Sequence, residues 1–410
     1  MTDNKIENGG FEDFAVREHR SLWLDAWRRL VANKTAMIGL IVVVVFILSA
    51  TGAHFFWEYE ARADLDYNKK LLAPTILATE EAPEIHLFGT DKLGRDIFRR
   101  TVHGGWNSLR VGLVAVGISL SIGGILGLLS GFFESINMNF RESLALMTLM
   151  GAGLGSLPAW IARQPMQILL FAGLGVASVL YDRYLVDRKS PRQLYFAILG
   201  TLIGGIAGIL VGFWVAFVCA ILGLLIGLIL ARPVGGKIFS SIVMRAMDII
   251  LSFPSYLLAI AIVAFLGPGL EKGMIAIGVV GIPVYARLAR SAVLSVSQKE
   301  YVLASQSVGE SHGRILFRHI LPNILSPIIV QSTMGLANAI LSAAALGFLG
   351  LGAIPPEPEW GAMLGDSYKY LSSGAWWAVL FPGLAIVFSV LGFNLLGDGL
   401  RDALDPKIRA

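Results

Sequence analysis

The residues best placed for chemistry lie between Ser295 and Leu321, in SVSQKEYVLASQSVGESHGRILFRHIL, where acids, arginines and histidines interrupt long apolar runs. His312 and His319 fall on one helical face, but no carboxylate and histidine pattern for a metal surrounds them. The chain holds no H-E-x-x-H, and its one G-x-S-x-G, Gly309 to Gly313, lies within this polar segment and not at a strand-to-helix turn. Its nearest approach to a phosphate-binding loop, Gly236-Lys237, is followed by Ile238 and has Ala231 where the first glycine belongs. No catalytic centre, cofactor or metal is therefore expected in this chain. What the segment offers is mechanical. Gly309 can take the left-handed conformation that ends a helix, Ser311 can accept backbone hydrogen bonds at the start of the next, and Pro322 suits a first helical turn. Two short helices with an elbow would present a compact knob, either a lever that tilts the spans on both sides or an interfacial hairpin without a partner.

A second group, Asp91, Arg95 and Asp96 in FGTDKLGRD, has the types for a fixed ion-pair cluster. It reads as a cap for the apolar run that follows, with a ligand site at the mouth as the alternative. Asp248 opens another apolar run and fits an interface position.

The elements that position these groups are expected to be transmembrane helices. Of the 410 residues 55% are hydrophobic and 15% charged, and the mean hydropathy is +0.68, which argues against ordinary soluble domains. A span needs roughly 20 apolar residues to cross about 30 Å of hydrocarbon, and many runs are that long. The net charge of +4 comes from basic residues in connections between those runs, the pattern of positive-inside topology and not of nucleic-acid binding. The single cysteine, Cys219, allows no disulfide within the chain.

Residues 1–36 read as a cytoplasmic segment without a cleavable signal, in which Leu22, Trp23, Ala26, Trp27 and Leu30 share a helical face suited to the membrane interface or to a plain juxtamembrane extension. Residues 37–133 hold two spans, about Met37 to Trp57 and Trp106 to Phe133, around an external loop 58–100. Residues 134–234 hold apolar runs at about Leu144 to Ile161, Met166 to Tyr181 and Tyr195 to Leu230, the last long enough for two spans. Residues 235–410 hold four spans, about Val243 to Leu266 (bent at Pro254), Gly273 to Leu294, Asn323 to Gly350 and Trp377 to Leu400, with the polar segment 295–321 on the inside. Six core spans and four inserted ones place both termini in the cytoplasm of a multi-pass, all-α bundle.

The polar segment resembles the EAA loop of ABC importer permeases: Ala304, Gly309, Leu321 and Pro322 match its pattern, while Leu303 replaces the acid, Ser305 the second alanine and His319 the isoleucine. ASQSVGESHGRILFRHILPN is closer to the form of this loop in dipeptide and oligopeptide permeases. FGTDKLGRD, RAMDIILSFPSYLLAIAIVAFLGPGL, LGFLGLGAIPPEPEWGAML and FNLLGDGLRDALDP are similar, in order, to the C-type permease subunit of that family. The resemblance covers about Trp23 to Phe133 and Gly235 to Lys407 and stops at 134–234. That block reads as a peripheral insertion: a lipid-facing bundle, a docking surface or a scaffold.

The resemblance implies a type I ABC importer permease in the cytoplasmic (inner) membrane that moves di- or oligopeptides. It would pair with a second homologous permease, two ABC ATPase subunits carrying ATP and Mg, and an extracytoplasmic solute-binding protein. It implies that Ala304, Ser305, Gly309, Glu310, Ser311, Arg314, Arg318, His319 and Pro322 couple to the ATPase, the arginines pairing with its carboxylates or with lipid headgroups. The alternatives are a nickel or other small-solute ABC permease, an ion-gradient-driven secondary transporter, and an assembly subunit.

Overall fold

The structure, a computed structural model, describes residues 22–57, 59, 65–75, 85–135 and 235–404. Among them there are ten α-helices and no strand beyond an isolated bridge between Thr90 and Asp96. The inserted runs expected at Leu144 to Ile161, Met166 to Tyr181 and Tyr195 to Leu230 lie outside the described residues.

Helix α1 (Leu22–Ala32) leads through Asn33, whose side chain caps α2 (Lys34–Phe56) by accepting from Thr35 N and Ala36 N. Ala26 and Leu30 of α1 pack with Ala36 against Ala403 at the far end of the last helix, so the two ends of the described chain meet.

The second span, α3 (Ile97–Ser135), begins nine residues before the expected Trp106. Asp96 starts it by accepting from Arg99 N at 2.9 Å. Arg100, expected at the end of the external loop, is buried within the first turns by neighbouring protein, as are Thr101 and His103. A glycine ladder, Gly123, Gly127 and Gly131, lays this helix on α6 (Leu270–Ser297), where a Cβ on any of the three would collide with the backbone oxygens of Ile282, Ala286 and Arg290. Close approach through small residues is the main packing device available between helices in lipid.

The span expected as one bent helix over Val243 to Leu266 is broken into α4 (Gly235–Ser252) and α5 (Ser255–Leu266), turned by 88°. Pro254 has no N–H to give and disfavours the helical conformation at Phe253, whose N–H reaches back only three residues, to Ile250 O at 3.3 Å, so the regular ladder ends there. Gly267-Pro268-Gly269, with φ of +89° and +143° at the glycines, turns the chain into α6.

The described polar segment contributes α7 (Glu300–Ser307) and runs straight into α8 (His312–Phe348). The expected second short helix is thus the first part of a span. One wide π-turn at Ile315–Ile320, just ahead of Pro322, absorbs the proline without a break. A short α9 (Trp360–Ser367) follows, then α10 (Trp377–Leu404). Among the described residues five helices are long and apolar enough to cross a membrane, and counting the broken pair as one span gives six.

The described residues on either side of 136–234 come together. Glu134, near the close of α3, accepts from Ser240 Oγ of α4 at 2.7 Å and from Arg290 of α6 at 2.7 Å, and Phe133 meets Phe239 edge-on at 5.5 Å.

Candidate functional site

The elbow is built from the backbone outward. Helix α7 closes at Val308, Gly309 turns with φ +81°, and Glu310 N bonds Ser305 O at 3.1 Å. Ser311 stands at the N-cap position of α8, but its hydroxyl makes no capping bond, contrary to expectation. The turn is closed from its carbonyl, which accepts from Ile315 N at 3.0 Å.

Across this turn Glu310 holds the two arms. Its carboxylate lies 3.1 Å from His319 Nε2 and 3.8 Å from Arg314 Nε, and its side chain is 18% exposed. Glu310 and His319 therefore face each other. Arg314, Arg318, Ala304, Gly309 and Ser311 are exposed on the outside of the hairpin, while the Ser305 hydroxyl is spent on Tyr301 O. Pro322 is exposed about three turns into α8.

Three residues escaped the sequence reading. Leu303, Val308 (88% exposed) and Phe317 form an apolar outer surface on a hairpin that is otherwise polar. Large apolar side chains within a charged segment were the available signal. Beneath them Val302, Ile315, Leu316 and Ile320 are fully buried with Phe132 of α3 and Val293 of α6, so the hairpin is part of the bundle's own core.

At the opposite end, Asp91 Oδ1 accepts from Leu93 N and Arg95 N, and Oδ2 accepts from Arg95 Nε at 2.7 Å with Arg100 Nε 3.7 Å away. His86 Nδ1 lies 2.8 Å from Asp96 Oδ2 while the other Asp96 oxygen caps α3. Asp91 and Arg95 are buried, 6% and 3% exposed. Lys92 pairs with Asp366 of α9 at 2.7 Å, fastening this loop to α9.

Glu359 fixes α9 on α8. Its two oxygens accept from Gly361 N and Ala362 N, each at 2.8 Å, and its side chain presses on Gly347. Burial raises this carboxyl above the ordinary glutamate range, and the two backbone donors partly offset the rise.

Between these ends lies a cavity of about 390 Å³, walled by α3, the broken pair, α6 and α8. Helix α8 sends Gln331, Asn338 and Ser342 to it, and α5 sends Ser255 and Tyr256. The α8 spacing, with Gly335 between, is one helical face, a polar stripe legible in the sequence but not read there. Hairpin and cavity wall thus share one continuous helix. Among the described residues no three His, Cys, Asp or Glu gather as a metal site.

Residues 223–410 match the family model of the binding-protein-dependent transport system inner membrane component, and residues 21–74 match the N-terminal TM domain of oligopeptide transport permease C. The chain is 37% identical over 390 residues, 95% of its length and 91% of the relative, to the dipeptide transport system permease protein DppC of Alkalihalophilus pseudofirmus. It is 36% identical over 383 residues, 93% of its length and 91% of the relative, to the di/tripeptide transport system permease protein DppC of Pseudomonas aeruginosa. With the dipeptide transport system permease protein DppC of Escherichia coli K12 the identity is 54% over 168 residues, 41% of this chain and 56% of the relative.

Proposed function

The chain belongs to the binding-protein-dependent transport system inner membrane components, and from that membership we propose how its parts work. It is the C-type permease subunit of an ATP-driven ABC importer for short peptides. ATP is hydrolysed on separate subunits, which dock on the hairpin. Leu303, Val308 and Phe317 enter an apolar groove there, while Arg314 and Arg318 meet carboxylates at its rim. A second permease completes the channel, and an extracytoplasmic binding protein delivers the peptide to the end that carries Asp91 and Glu359. The hairpin end, with both termini, faces the cytoplasm, because Arg28, Arg29 and Lys34 flank the first span.

One observation carries this reading: α8 runs unbroken from the elbow to the cavity wall. From His312 to Asn338 is 26 residues, about 39 Å of helix. A push on the hairpin cannot be taken up locally, because its inner face is locked into the core, and so it moves the wall of the cavity. Reconstitution of the four-subunit complex with its binding protein tests this. Gly309→Trp should leave permease pairing intact and abolish ATP-dependent peptide uptake; unchanged uptake would contradict the reading.

A further inference from the structure

Gln331, Asn338 and Ser342 stand near the middle of a 37-residue span, where an unpaired amide in hydrocarbon is costly. Neither amide side chain has a hydrogen-bond partner among the described residues. Tyr285, beside them, is different: its hydroxyl donates to Gln331 O at 3.4 Å, and it lies 2.5 Å from where a Cβ on Gly335 would stand. Gly335 thus leaves the face between the two amides flat. Ser119 is also occupied, donating to Gly278 O at 2.7 Å. The polar groups left open to the cavity are the two amides, Ser342, Ser255 and Tyr256.

Among the described residues lining the cavity none is charged. Its volume of about 390 Å³ is in the range of small-ligand sites, about 300–1,000 Å³. A primary amide offers two N–H donors and a carbonyl acceptor, the complement of a peptide unit's one acceptor and one donor. Two amides on one helical face, seven residues and about 10 Å apart, match peptide units three residues apart in an extended chain, which rises about 3.3 Å per residue, so a shorter cargo meets them one at a time.

We propose that the Gln331–Asn338–Ser342 face of α8 is a main-chain-reading subsite, which hydrogen-bonds the peptide units of the passing cargo and ignores its side chains. This rests on the reading of the chain as a peptide importer and adds the rule by which cargo is recognised inside the membrane. Without lining charges, acidic and basic side chains find no partner that would hold or repel them. The amides replace the water that a peptide unit sheds on entry, which lowers the cost of its passage without trapping it.

The test compares uptake of alanyl-alanine with that of its ester analogue, alanyl-lactate, which lacks the peptide N–H. Proteoliposomes carry the complete complex, and the same binding protein serves every variant. Wild type should prefer the amide by about fivefold, the worth of one net hydrogen bond. Asn338→Leu should bring the ratio close to one, and Asn338→Gln should keep the preference. Should Asn338→Leu fail to assemble, Asn338→Ala reads the same ratio. A wild type that takes up both alike, or a Leu or Ala variant that retains the wild-type ratio, overturns the subsite. A wild type that hydrolyses ATP yet imports neither compound overturns the peptide-importer reading instead.

Discussion

The carboxylate of Glu310 lies 3.1 Å from Nε2 of His319, so the tip of the elbow is tied to the first turns of the span it precedes. His319 is a quarter exposed, and this contact ties the hairpin together from within. Glu310→Ala should loosen the arms while leaving the outer surface chemically intact. The expected outcome is uptake reduced several-fold with basal ATP hydrolysis retained, measured in the same vesicles. Glu310→Gln, which keeps a hydrogen-bond acceptor, should recover most of the loss.

The glycine ladder on α3 sets a steric limit. Gly127→Leu must force α3 away from the Ala286 carbonyl, an overpacking that costs typically 1–3 kcal/mol and can cost more where backbone is the obstacle. Thermal unfolding of the purified subunit in detergent should shift downward by several degrees, whereas Gly117→Leu, with open space around it, should not.

Because Glu134, Ser240 and Arg290 join the helices on either side of the block 134–234 that was expected to be an insertion, the rest of the bundle should assemble without it. Replacing 137–233 by a short glycine-serine link should leave pairing with the second permease and peptide uptake within twofold of wild type. Loss of both would assign the insertion a part in the transport core.

Glu359 makes a prediction about pH. Its carboxyl is raised in the folded protein, so the neutral form favours folding: that contribution is full below the unfolded-state pKa and is lost as pH rises through the folded one. Glu359→Gln is neutral at every pH and loses one capping acceptor throughout. The stability advantage of wild type over this variant should therefore be largest in acid and shrink as the pH rises, followed by thermal melts of the two proteins side by side.

Local chemistry was the part legible in the sequence. Gly309 takes the left-handed turn assigned to it, Asp96 caps α3, and Pro254 interrupts its span. Departures arose where tertiary surroundings outweighed local pattern. Arg100 looked solvated at the end of the external loop, yet neighbouring protein buries it and α3 starts earlier. Pro322 looked like a boundary, but a π-turn carries α8 past it. The Ser311 hydroxyl was not needed, because the carbonyl of the same residue closes the turn. The Gln331–Asn338–Ser342 stripe was visible as a period in an apolar span, and only the cavity beside it gives that period a meaning.

The central claim is that the hairpin ahead of Pro322 takes the stroke of an ATP-hydrolysing neighbour. It is tested most directly by Val308→Cys in a Cys219→Ser background, which leaves one thiol at the exposed tip. A short thiol-directed photocrosslinker on that residue should join the permease to the ATPase subunit in the assembled complex, with a yield that changes between nucleotide-free and ATP-bound states. Efficient uptake by a complex in which the probe labels lipid alone, in every nucleotide state, would contradict the account.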